Sequence, residues 1–191
     1  MIALYDLTAF PETDWKNGQG RTRELARGDT QGGTWRVSLA SIEGDGPFSS
    51  FPGFMRHLAL ASPGHLTLST AADDGPHHLD RAGVILSFDG HMAVRSACPS
   101  GPVMAFNLMA SHGQPALLFA HETPFTLPHT VHFTLLPLRG PWHVTGRGPA
   151  FGPGNVLQGK MAAGDRPLSI SPMASSGPQA PLCLAALIPP S

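Results

Sequence analysis

The chain has 191 residues, a formal net charge of −1 and only 13% charged residues, about half the usual quarter. That length buries a sizeable core, as one large domain or two small fused ones. A near-neutral chain without a basic block excludes a phosphate-neutralising nucleic-acid surface and electrostatic docking on a membrane.

The 22 glycines and 20 prolines predict frequent turns and no long helix. Met1–Phe10 carries Asp6 and lacks both a basic and an apolar leader region, so no signal peptide is expected. No apolar run approaches the roughly 20 residues that span a bilayer. Cys98 and Cys183 lie far apart and outside any C-x-x-C spacing, which points to a reducing cytoplasm rather than a disulfide framework.

Strand-like runs follow one another along the chain: Ile2–Leu7, Trp35–Ile42, Met55–Ala61, His65–Thr70, Val84–Phe88, Met92–Ser96 and Val103–Met109, then Ala116–Ala120, Thr130–Leu136, Trp142–Thr145, Asn155–Gln158, Leu168–Ser171 and Leu182–Ile188. Gly, Pro or Asp-Gly pairs bound nearly all of them, with hairpin chemistry at Asp45-Gly46, Asp74-Gly75 and Asp89-Gly90. No segment keeps a helical period over three turns. The pattern predicts an all-β sandwich or barrel. A seam between two halves of similar rhythm is expected at Ala110–Pro115, and Ser169–Pro181 reads as a loop.

Three stretches carry chemistry. Trp15–Ala26, W-K-N-G-Q-G-R-T-R-E-L-A, combines pliable Gly18 and Gly20 with Asn17, Thr22 and two arginines. It reads either as a loop closing over a small polar ligand or as a solvated turn leading into a strand. Trp35–Ala40 alternates: Trp35, Val37 and Leu39 face one way, Arg36, Ser38 and Ala40 the other. An inward Arg needs an acceptor. Arg36 therefore holds a ligand carboxylate, with Arg56 holding a second or supporting a loop, or it pairs internally with Glu24, Glu43 or Asp45. Val103–Met109 places Asn107 among apolar neighbours on the face of Val103, Ala105 and Met109. There its amide needs either a ligand or a backbone partner on a neighbouring strand.

Other groupings lead nowhere. The ten histidines are scattered, no H-x-H occurs, and His129 with His132, or His77 with His78, diverge on a strand, so no metal is expected. Asp73-Asp74 reads as a solvated pair, and Cys98 as an inert thiol. Neither a nucleophile elbow nor a phosphate loop is present, and no cofactor is indicated.

These motifs resemble the HutD/Ves family. The likeness rests on W-K-N-G-Q-G-R-T-R-E-L-A, W-R-V-S-L-A, D-G-P-F-S-S-F-P-G-F-M-R, the F-D-G of Phe88–Gly90 and the F-N-L-M of Phe106–Met109, in family order over about the first 110 residues. The resemblance implies a cupin-type β-barrel with two cupin-like lobes, about 1–110 and 111–191, in a single bicupin unit. It also implies a non-catalytic role: binding a small acid of histidine degradation, such as formiminoglutamate, and restraining that pathway. Carried over by motif, the pocket uses Asn17, Thr22, Arg36, Ser38, Arg56 and Asn107, framed by Trp15, Trp35 and Phe106. Ala105, His91 and Ala110-Ser111-His112 depart from the family pattern. The alternative is a metal-independent isomerase or hydrolase with His57 or His91 as acid or base. A homodimer that covers strand edges is an expected assembly.

Overall fold

Alternation of apolar and polar residues turns most of this chain into strands. The computed structural model describes residues 1–70, 75–174 and 178–190, the side chains of 147–149 excepted; Asp73 and Asp74 lie outside the described residues. The strands are β1 (Ile2–Asp6), β2 (Glu12–Asp14), β3 (Gly20–Thr30), β4 (Gly33–Ile42), β5 (Gly46–Pro47), β6 (Phe54–Leu60), β7 (Leu66–Thr70), β8 (His77–Leu79), β9 (Ile85–Asp89) and β10 (Val94–Ala97). They continue with β11 (Val103–Ser111), β12 (Leu117–His121), β13 (Phe125–Leu127), β14 (Val131–Arg139), β15 (Trp142–Val144), β16 (Arg147–Phe151), β17 (Asn155–Met161), β18 (Leu168–Pro172) and β19 (Leu182–Ile188). A single 3₁₀ turn, Leu7–Ala9, interrupts them. No helix among the described residues is long and apolar enough to cross a membrane.

Each strand-like run of the sequence contains an observed strand. The main correction is Gly20–Thr30. Its sequence, G-R-T-R-E-L-A-R-G-D-T, has almost no apolar alternation, yet it pairs with β4 from Gly20↔Ile42 to Thr30↔Gly33 around a bulge at Leu25. Backbone pairing sets its conformation; apart from Leu25 and Ala26, which enter the apolar layer at the bulge, its side chains chiefly serve a polar cavity and surface ion pairs. The loop read at Ser169–Pro181 likewise begins later, because β18 runs through Pro172.

The strands form four antiparallel sheets with a repeated topology. In the N-terminal half the orders are β9-β6-β11-β4, extended by β3 and β2, and β5-β10-β7-β8. Adding eight to each strand number gives the C-terminal half: β17-β14-β19-β12 and β13-β18-β15-β16. The connection between the halves runs from Ser111 to Leu117, overlapping the Ala110–Pro115 stretch. There buried Gln114 donates to the carbonyls of Pro115 and Pro189, both at 2.8 Å. The first strand, β1, crosses over to pair with β17 at the edge of the C-terminal sheet.

Three apolar layers hold the sheets together. Trp35, Val37, Leu39, Phe106 and Leu108 pack against Leu136, Leu184, Ala186 and Ile188 between the two halves. Phe133, Leu135, Trp142, Phe151 and Ile170 fill the C-terminal half. Ile42, Leu58, Leu60, Leu66, Leu68 and Val94 fill the N-terminal half, but only at one end. Along β4 the inward positions run Arg36, Ser38, Ala40, Ile42, and along β6 Arg56, Leu58, Leu60. The core closes where they are apolar and opens where they are polar.

Phe106 belongs to the layer between the halves and is wholly buried there. Phe106→Ala is expected to lower the unfolding free energy by about 3–5 kcal/mol, read by urea denaturation. A loss below about 1 kcal/mol would contradict the layer assignment.

Candidate functional site

The open end of the N-terminal half is a cavity of ≈ 850 Å³, within the usual range for small-molecule sites. Strand register builds its floor in rows. One row crosses the sheet as Glu24, Ser38, Asn107 and Leu58. The next crosses it as Arg36, Met109, Arg56 and Phe88. Arg36 and Arg56 thus sit two strand spacings apart, about 10 Å at the backbone, on the same face. Thr22 lies beyond Glu24 on β3.

Two loops supply the walls. The Trp15–Gly20 turn is closed by Trp15 N–H donating to Gly20 O at 2.9 Å and Gly18 N–H to Trp15 O at 3.0 Å. Gly20 is required, since a Cβ there would sit 2.2 Å from Ser41 O. Within this turn Trp15 Nε1 donates to Thr22 Oγ1 at 2.7 Å, and Asn17 Oδ1 accepts from Gln19 N–H at 3.1 Å. The opposite wall, Pro47–Phe51, is tied down by Phe48 N–H to Val94 O at 2.8 Å and Phe51 N–H to Gly90 O at 2.6 Å. Gly90 of the F-D-G motif is the second required glycine: a Cβ would meet Phe51 O at 2.3 Å.

The two arginines differ. Arg36 has Glu24 beside it, Nε to Oε2 at 3.0 Å. The contact is an ion pair by distance only; the buried Nε–H is not aimed at the carboxylate and makes no hydrogen bond. Glu43 and Asp45, the other acids in reach by sequence, are engaged elsewhere, by Arg21 and by Cys98 N–H. Arg56 has no acid at all among the described residues. It is 8% exposed and donates from Nη1 to Ser49 O at 3.1 Å. Its guanidinium carbon lies 5.2, 5.4 and 5.0 Å from the ring centres of Phe48, Phe51 and Phe88, within cation–π range. Its buried Nε has no partner. Burial first, and then the like charge of Arg36, pull its pKa down from the ordinary arginine value to about 10.

Of the nine residues picked from sequence, seven meet in this cavity: Trp15, Asn17, Thr22, Arg36, Ser38, Arg56 and Asn107. Trp35 and Phe106 do not. Each is one residue out of phase with the floor and points into the layer between the halves. Asn107 uses its amide on Ala105 O at 3.1 Å, a backbone partner on its own strand rather than on the neighbouring strand weighed above. Lys16, Asp14, Glu24, Phe48, Phe51 and Met109 also line the cavity. Glu24 and Met109 follow from period-two spacing from Thr22 and Asn107 once both segments are strands.

No histidine lines the cavity. His57 points from the other face of β6 to Ser87 Oγ at 2.7 Å, and burial lowers its pKa. The His91 and His112 rings meet Asp89 at 2.6 and 3.0 Å outside the cavity; the His91 backbone N–H first, and then its ring, hold the Asp89 carboxyl below its usual range. His132 lies against Trp35, with ring centres 5.4 Å apart. Among the described residues no three His, Cys, Asp or Glu side chains come together as a metal-holding group.

The HutD family model matches residues 7–157, the span that contains every strand of the cavity floor. The chain belongs to the HutD family. It is 33% identical over 111 residues to Protein Ves of Escherichia fergusonii, covering 56% of this chain and 57% of that protein. It is 31% identical over 103 residues to a 21.2 kDa Pseudomonas putida protein from the hutC 3′ region, covering 52% and 53%. The chain thus spans little more than half the length of the curated relatives it matches. The structure of HutD from Pseudomonas fluorescens SBW25 in a formate condition superimposes with a TM-score of 0.81 at 25% identity, covering 98% of both chains. A cupin 2 conserved barrel domain protein from Leptotrichia buccalis shares the fold alone, with a TM-score of 0.59 at 8% identity over 97% of this chain and 96% of that one.

Arg56 makes the empty protein less stable than an apolar residue would. A depressed base means the unfolded chain binds more protons between about pH 10 and 12.5, so stability rises with pH across that window. Arg56→Met is expected to be neutral or stabilising by up to about 3 kcal/mol at neutral pH. Its advantage over the parent should shrink above about pH 10. Urea denaturation at several pH values reads both. A variant clearly less stable than the parent would show that Arg56 is already compensated.

Proposed function

We propose that this HutD-family protein binds a small carboxylate in the N-terminal cavity, without converting it, and that the ligand is an acid of histidine degradation of the formiminoglutamate kind. Binding lets the cytoplasmic protein restrain flux through that pathway. The single observation behind this reading is Arg56: a buried guanidinium, walled by three phenyl rings, open to a ligand-sized cavity and lacking a counter-ion among the described residues. Such a charge is costly until an anion meets it. A carboxylate accepts two parallel N–H bonds from a guanidinium, and Ser38 and Thr22 add hydroxyls elsewhere in the lining.

Two further observations support the reading. The hutC-region relative and the HutD structure connect the family to histidine utilisation. The eight-strand topological repeat supports two cupin-like lobes in one chain, of which the N-terminal lobe carries the polar interior. His57 and His91 stand outside the cavity, so no observation favours the acid–base alternative.

A ligand at about 100 times its dissociation constant stabilises the folded state by about 2.7 kcal/mol. For a chain of this size that is a rise of roughly 5–10 °C in melting temperature. Thermal shift with formiminoglutamate, formylglutamate, glutamate, urocanate and formate is expected to show such a rise for at least one of them, and Arg56→Gln to abolish it. No rise with any of the five at millimolar concentration would refute the proposal.

A further inference from the structure

The two halves end differently at one sheet edge. In the N-terminal half β4 is not the last strand: β3 pairs along it from Gly20↔Ile42 to Thr30↔Gly33, and β2 pairs with β3. Its counterpart in the C-terminal half, β12, has β19 on one side and no strand on the other. Among the described residues no backbone group of Leu117–His121 is bonded to anything but β19. The strand reads L-L-F-A-H, with none of the Lys, Pro or bulges that keep an edge from pairing. Burial lowers the His121 pKa, which leaves the strand uncharged at neutral pH.

Leu118 anchors β12 in the layer between the halves. The opposite face carries the apolar interior of the C-terminal half outward. Leu117, Leu187 and Phe133 form one row across the sheet, and Phe119, Ala185 and Leu135 the next. The inner members are buried, but at the edge Leu117 is 47% and Phe119 40% exposed. Beside them His121 stacks on Phe125, with ring centres 3.9 Å apart. The geometry points to a second copy of this chain as the cover: β12 pairs antiparallel with its own copy about a two-fold axis at Phe119, and the two five-stranded sheets become one. Such a contact closes on itself as a dimer, and the free main-chain groups of the edge find partners. Phe119 then faces the partner's Phe119, an aromatic cross-strand pair, and Leu117 faces the partner's His121. No charge meets its like at the axis. Glu122 falls beyond the paired segment and has Arg139 3.6 Å away, and a net charge of −1 puts little repulsion between copies. The fold already uses this solution once, where β3 covers β4. The inference is independent of the ligand reading above.

Sedimentation velocity of the full chain between about 1 and 200 µM is expected to show monomer passing to dimer. Phe119→Lys sets two ammonium groups against each other at the axis and should raise the dissociation constant at least about tenfold. Leu4→Lys places the same charge on β1, at the opposite edge of the sheet, where Leu4 is 40% exposed, and should leave the constant unchanged. A chain that is monomeric throughout that range overturns the inference and leaves the edge to a partner of another sequence. A dimer that Phe119→Lys does not weaken overturns it as well. Should Phe119→Lys fail to fold by circular dichroism, Phe119→Cys decides. Its two thiols, opposite each other at about 5 Å, are expected to form an intermolecular disulfide under mild oxidation faster than Leu4→Cys does. No cross-linking beyond that control overturns the inference.

Discussion

A single unneutralised charge organises the N-terminal half. Arg56 is on β6, next to the central strand β11 of a six-stranded sheet, where the register and the opposing loops remove it from water. The fold keeps it there by three means. Phenyl rings from Pro47–Phe51 and from β9 surround the guanidinium. The Ser49 carbonyl accepts one N–H. The loop carrying two of those rings is fastened to Gly90, where no side chain fits. None of these supplies a negative charge. The motifs P-F-S-S-F-P-G and F-D-G therefore make one device: a cage that holds a cation out of water with no acid beside it among the described residues.

The two halves show what that device displaces. They share one strand topology, yet the C-terminal half turns Phe133, Leu135 and Trp142 inward as apolar core, with a smaller cavity of ≈ 460 Å³ beside Val144, Phe151, Leu157 and Met161. In the N-terminal half the corresponding sheet turns Arg36, Ser38, Arg56 and Asn107 inward at one end, so the space stays open. Burying polar groups against water costs stability, and the apolar layer between the halves supplies the compensating burial. The polar interior thus belongs to one half, and most apolar burial to the other interior and the shared layer.

Much of this was legible in the residues, and the failures have physical causes. The inward face of β4 was readable because Arg36, Ser38 and Ala40 alternate with Trp35, Val37 and Leu39. The same rule, applied strictly, sends Trp35 and Phe106 away from the cavity. The family motif placed them in its frame, because adjacency in a motif is not adjacency on a sheet face. Strand β3 was hidden, since most of its side chains serve the cavity and surface ion pairs and only Leu25 is buried in the core, and with it went Glu24 as a floor residue. The larger role of Arg56 over Arg36 was not readable at all. It depends on which acids end up nearby: Glu24 reaches Arg36 only through pairing between β3 and β4, while the cage around Arg56 draws on three segments distant in sequence.

The most direct measurement is a crystal structure of the protein with a bound small carboxylate. The account predicts two carboxylate oxygens within hydrogen-bond distance of the Arg56 guanidinium, between the Phe48 and Phe51 rings, with the Glu24–Arg36 pair still in place. A carboxylate bound elsewhere, with the Arg56 guanidinium left as it is or turned onto an acid of the chain itself, would contradict it.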